Sequence, residues 1–138
     1  MKIFKLLCIV LLCLSCNQGN NVYDEKDYFL VKLDSFENKV YSKILVNKFD
    51  TSRKMVLLYW DNGNVMSRGC FKGKLRDGIN EHFYIYGNLQ TSELYSNGKK
   101  EGLQRTYYTN GKLKSAENYT EGKLVLGENL DSLGNTVK

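Results

Sequence analysis

His82 is the one histidine of the chain, so any acid–base or nucleophilic chemistry would have to be organised around it or around carboxylates. A catalytic centre needs several convergent groups with tuned proton affinities. His82 falls in line with Leu58 and Thr106 at a 24-residue step, so it belongs to no repeated site, and it reads as an ordinary strand residue. No serine stands in a Gly-x-Ser-x-Gly elbow. Asp24, Glu25 and Asp27 form a short acidic run of the kind that stays solvated. Gly73, Gly78 and Gly87 are separated by strand-like runs rather than gathered before a helix, which argues against a phosphate cradle. The expectation is a protein that is no enzyme, takes no cofactor or metal and has no evident small-molecule substrate.

The elements that would carry a different kind of site are repeated. Gly63, Gly87 and Gly111 share a 24-residue step, as do Gly78 and Gly102. The aromatics Tyr59, Phe83 and Tyr107 keep the same step, and so do Trp60, Tyr84 and Tyr108. A fixed period of this length marks an array of one small structural unit. In the third unit Leu103 to Tyr108 alternates as a strand, Asn110-Gly111 turns the chain, and Leu113 to Tyr119 returns. Asn-Gly between alternating runs predicts a two-residue type I′ hairpin turn, with positive φ at both central residues. Asn62-Gly63 repeats it, and Tyr86-Gly87 implies either strain at Tyr86 or another turn type.

With two-residue turns, Trp60 would face Val65, Tyr84 would face Leu89 and Tyr108 would face Leu113. Phe71, Tyr95 and Tyr119 would join them in an apolar core face. Tyr59, Phe83 and Tyr107, opposite Met66, Gln90 and Lys114, would then lie on the other face as a candidate binding surface. Second turns at Gly73, Asn97-Gly98 and Gly122 close the units and send each strand back antiparallel to the last. The expected fold is all-β: an elongated antiparallel meander of tandem hairpins, with units at about 59–78, 79–102, 103–126 and a degenerate 127–138 in the repeat region 55–138. Residues 23–54 lack the period; β-branched runs favour capping strands with turns at Asp34-Ser35 and Asp50-Thr51-Ser52, although a helical stripe also fits.

The first sixteen residues read separately. Lys2 and Lys5 precede an unbroken apolar run from Leu6 to Leu14, too short to span a bilayer, which is the layout of an export signal. Its end, Ser15-Cys16, resembles a bacterial lipoprotein signal, with Cys13 where that family usually has Leu. The resemblance implies lipidation of Cys16 and attachment to a membrane of the bacterial cell envelope, the outer membrane being the candidate, and the polar residues 17–22 read as a tether. Cys70 would then be the one cysteine of the folded part, half-buried and without a disulfide partner. Losing Lys2 and Lys5 with the signal takes the net charge from +5 to +3. Lys and Glu are interspersed, so a nucleic-acid partner is not expected.

The run from Gly102 to Lys123, Gly-x-x-x-x-Tyr-Tyr-x-Asn-Gly-Lys-Leu-Lys-x-x-x-x-Tyr-x-x-Gly-Lys, resembles the MORN-repeat variant of YwqK-type proteins. That resemblance implies tandem β-hairpins with no catalytic centre and binding to a protein partner. In some members the partner is a toxin and the protein an antitoxin. A glycan- or lipid-binding envelope module is the alternative from a different class.

Overall fold

The computed structural model describes residues 25–137. The signal segment with Cys16, the tether and Asp24 lie outside the described residues. After a 3-10 turn at Glu25–Asp27 come β1 (Tyr28–Phe36), β2 (Lys39–Asn47), β3 (Arg53–Tyr59), β4 (Val65–Lys72), β5 (Leu75–Phe83) and β6 (Leu89–Ser96). The remainder is β7 (Lys99–Lys100), β8 (Gly102–Tyr107), β9 (Leu113–Thr120), β10 (Lys123–Leu130) and β11 (Thr136–Val137). All eleven belong to one sheet, in sequence order except that the two-residue β7 pairs with β6 beside β8. The chain is thus an antiparallel meander of hairpins. The N-terminal segment is strands and not a helix. Its first turn is at Glu37-Asn38, not Asp34-Ser35, because those two residues take the left-handed conformation (φ 47° and 64°) that a tight type I′ turn needs.

The Asn-Gly turns on the same edge depart from expectation. Trp60 N donates to Asn64 O at 2.8 Å and Trp60 O accepts from Gly63 N at 2.8 Å; Tyr84 with Asn88 and Gly87, and Tyr108 with Lys112 and Gly111, repeat this pattern. The loops are therefore three residues long, and only the glycine takes a positive φ (Gly63 87°, Gly87 91°, Gly111 82°). This is a type I turn followed by a left-handed bulge residue. Tyr86 escapes strain because its position does not require a positive φ. The paired left-handed residues occur instead at the closing turns, Asn97-Gly98 (48° and 84°) and Glu121-Gly122 (51° and 82°).

The longer loop, with a further bulge one residue on, changes which side chains share a face. Tyr59 pairs with Val65, Phe83 with Leu89 and Tyr107 with Leu113. The following pairs skip Met66, Gln90 and Lys114: Leu58 meets Ser67, His82 meets Thr91, and Thr106 meets Ser115. Each skip reverses the alternation, so Leu113 and Tyr119 lie on opposite faces, not on one. Trp60, Tyr84 and Tyr108 leave the ladder altogether. Their polar tips tie each unit to the next: Trp60 Nε1 donates to Phe83 O at 3.2 Å, and Tyr84 and Tyr108 hydroxyls donate to Tyr107 O and Leu130 O at 2.9 Å.

The core is small and sits toward the N-terminal end. Met55 is fully buried, Cys70 is 1% exposed, and Tyr28 and Leu57 complete the cluster, with Leu45, Tyr59 and Val65 packed against it. Cys70 is a core residue rather than a half-buried one. Burial also pushes the Tyr28 phenol above its usual range. The aromatics expected to form the core are only partly buried, since among the described residues no second layer covers either face of the sheet.

Candidate functional site

Register defines two surfaces. The face of Tyr59, Phe83 and Tyr107 carries the alternating row Tyr59, Val65, Phe83, Leu89, Tyr107 and Leu113 along one side of the sheet. Tyr59 and Val65 pack against the core at one end of this face, and each of the six is partly exposed, so the row is apolar and partly accessible. Beside it the same face is charged. Lys43 Nζ stands 5.3 Å from the Tyr59 ring centroid, and Arg68 Nε donates to Glu81 Oε2 at 2.8 Å. An open-sided groove between the first two units is lined by Leu57, Asn64, Val65, Arg68, Phe83 and Gly87. A second lies beside Tyr59, against Val40, Tyr41, Lys43 and Trp60. Apolar rungs next to fixed charges make a surface that takes side chains of a protein and orients them by charge.

The opposite face repeats a cation over an aromatic ring. Lys54 lies 5.6 Å from the Phe71 centroid, Arg76 5.1 Å from Tyr95, and Lys100 5.1 Å from Tyr119. Glu93 binds this row together: its Oε1 lies 2.9 Å from Lys100 Nζ, and its Oε2 accepts from the Tyr95 hydroxyl at 3.2 Å. The bond to Glu93 raises the Lys100 pKa, and the bond from Tyr119 to Glu117 raises that phenol. Lys54, Arg76 and Lys100 are thus engaged with partners on their own sheet. This ladder holds structure together; the other face offers contacts.

The sequence reading passed over two buried amides one period apart. Asn80 and Gln104 are 3% and 4% exposed. Gln104 Oε1 accepts from Leu94 N at 2.9 Å, and its Nε2 donates to Leu94 O, Glu101 O and Gly102 O at 3.2, 3.0 and 3.2 Å. Asn80 Nδ2 reaches Gly78 O at 3.2 Å and Cys70 O at 3.4 Å. Each side chain supplies ladder bonds where strands fall out of register. Their shared spacing was the available signal.

Of the turn residues, Asn62 and Asn110 cap their own loops, accepting from Asn64 N and Lys112 N at 3.0 Å. Asn62 and Asn64 also donate to Ile85 O, at 2.9 and 3.0 Å, joining neighbouring turns. At the closing edge Gly73, Gly98 and Gly122 amides donate to Ser52 O, Arg76 O and Lys100 O at 2.8, 2.8 and 2.9 Å. Gly78 and Gly102 lie in strands rather than turns, paired with Tyr95 and Tyr119. His82 is exposed on the cation–aromatic face between Ser67 and Thr91. Among the described residues no cluster of His, Cys, Asp or Glu could hold a metal ion, and no helix is long and apolar enough to cross a membrane.

No curated protein sequence matches the chain. Two solved structures show a weak similarity to the chain, a mutant of S. aureus TarM in complex with Fondaparinux, alpha-GlcNAc-glycerol and UDP, and TarM itself. Both are 16% identical over 72% of this chain, with TM-scores of 0.45 and 0.43, and the chain spans 21% of their length. Residues 100–124, from Lys100 through the closing turn at Glu121-Gly122, match the family model described as MORN repeat variant, so the third hairpin of the array is similar to that repeat.

Proposed function

We propose that the chain is a non-enzymatic lipoprotein of the bacterial envelope, held to a membrane through Cys16, whose hairpin array binds a protein partner. The observation that supports this reading is the accessible row of Tyr59, Phe83 and Tyr107 with its aliphatic partners and flanking charges, on a sheet face that no other described element covers. A repeat array suits such a role because each added unit extends the contact surface without new chemistry. The partner lies along the row, with apolar side chains against Phe83 and an acidic group near Lys43. A toxin held in this way would make the protein an antitoxin of the YwqK type.

The test is affinity capture from envelope extract after cross-linking, with the wild type beside Phe83→Ala and Tyr107→Ala variants. His82→Ala, on the opposite face, is the control. One protein lost from both aromatic variants and retained by the control supports the reading. Equal recovery by all four proteins overturns it. For the anchor, wild type in the membrane fraction and Cys16→Ala outside it is the expected result. Both forms in the cytoplasm would refute the anchor and leave the antitoxin role.

A further inference from the structure

Among the described residues β1 closes one end of the sheet and pairs on one side only, with β2. Its outer edge therefore presents a row of main-chain donors and acceptors, and Phe29, Leu30, Val31, Leu33 and Phe36 along it are 44–66% exposed. Proteins commonly blunt such an edge with a bulge and a charge. β1 has both, but the charges come as an opposed pair. Lys32 and Asp34 are two residues apart on one face, their Nζ and Oδ2 3.3 Å apart, with side chains 60% and 52% exposed. Register shifts at Leu30/Lys32 and Asp34/Ser35 bracket them, leaving a short regular stretch centred on Leu33.

We propose that the chain forms a twofold dimer in which β1 pairs antiparallel with β1 of a second copy about Leu33. In that register each Lys32 lies across from the other copy's Asp34, and the two Leu33 side chains meet on the opposite face. Centring the pair on Lys32 sets two lysines together, and centring it on Asp34 sets two carboxylates together. A parallel arrangement in register opposes like charges at both positions. The charge pattern thus selects one register, and the contact is isologous and closed, so it ends at two copies. At the far end β11 pairs only with Asn129 and Leu130 of β10, and the rest of that edge, Lys123 to Glu128, has no opposed charge pair two residues apart to select a register. The dimer is independent of the partner-binding and anchoring roles, since β1 contributes to neither.

Sedimentation of the full chain in mild detergent, over a concentration series, tests this. Wild type is expected to reach twice the monomer mass. Lys32→Asp alone and Asp34→Lys alone each place like charges across both contacts and weaken association by about tenfold or more. The double variant Lys32→Asp/Asp34→Lys restores a homodimer, and mixing the two single variants gives a heterodimer. Circular dichroism checks that each variant keeps its sheet, which the exposure of both side chains favours. A monomeric wild type at every concentration, single variants that associate as well as wild type, or a swap without rescue overturns the proposal. Association through the apolar run from Leu6 to Leu14 would show itself as indifference to all three variants.

Discussion

Replacing Gln104 by Leu keeps the volume of a buried side chain and removes every polar atom from it. In the native sheet that side chain supplies the acceptor for Leu94 N, and three donor contacts, to Leu94 O, Glu101 O and Gly102 O. Leu94 O keeps a second partner, Glu101 N at 2.9 Å, so its loss is small. The Leu94 amide has no such reserve. Stranding a donor out of water costs about 1–3 kcal/mol, so the expected penalty is about 2 kcal/mol. At 1.4 kcal/mol per tenfold, the Leu94 amide should open and exchange its hydrogen about thirtyfold faster. The assay is amide hydrogen exchange followed by nuclear magnetic resonance, with urea unfolding for the global value. Units of an array touch mainly their neighbours, so β6, β8 and β9 should lose protection while β1 and β2 keep theirs. Gln104→Glu sharpens the test. It retains an acceptor but buries a carboxylate, whose pKa in the fold must rise. A raised folded pKa means the folded state binds the extra proton, so this variant regains stability as pH falls. Unchanged exchange at Leu94 in Gln104→Leu, or a uniform loss across all strands, would refute the reasoning.

The remaining predictions concern the turns and the last hairpin. Gly87→Ala should cost about 1–2 kcal/mol in urea unfolding through its left-handed φ of 91°, whereas Tyr86→Asn should change stability by less than about 0.5 kcal/mol; a clear gain from Tyr86→Asn would restore the two-residue turn. Tyr108→Phe removes the bond to Leu130 O and should cost about 1 kcal/mol, seen as faster exchange in β10 and β11 with β3 unaffected. The Asn135 side chain, then the Asn135 and Leu133 amides, hold the Asp131 carboxyl below its usual range. A lowered folded pKa gives stability that is fully present above the unfolded value, about 3.9, and is lost as pH falls through the folded value. Chemical shifts of Thr136 and Val137 should therefore report fraying of β11 only in acid, and fraying that begins near neutrality would contradict this.

Period was legible in the sequence because repetition multiplies weak signals: one Asn-Gly suggests a turn, and three registered glycines with aromatics four and three residues ahead of them define a unit. Turn type was not, since Asn-Gly satisfies both a two-residue loop and a three-residue loop with one left-handed glycine. Tyr86 was the informative exception. A bulky residue where Asn stands in the sister units fits only a loop that leaves the position before glycine at ordinary φ. Taking it as the rule rather than the departure would have placed Tyr59, Phe83 and Tyr107 opposite Val65, Leu89 and Leu113 directly. Asn80 and Gln104 were hidden for another reason. Polar residues in alternating strands read as solvent-facing, and their burial follows from ladder defects that only the register reveals.

The same bulges that misled the register explain how a sheet without a second layer leaves one face free. A flat hairpin array must bury apolar side chains on one side or the other, and it leaves aromatic residues with both duties. Here the loop detaches Trp60, Tyr84 and Tyr108 from the ladder and gives them to the joints between units, where indole and phenol tips bond main-chain carbonyls. The closing-turn amides of Gly73, Gly98 and Gly122 do the same at the far edge, and the cations over Phe71, Tyr95 and Tyr119 brace the second face. Spacing between units is thereby fixed at both edges and on one face by bonds that use main-chain carbonyls of Phe83 and Tyr107 but neither of their side chains. Changing that row should alter what the sheet holds far more than how the sheet is held, and this separation is what makes Phe83→Ala and Tyr107→Ala usable probes of binding.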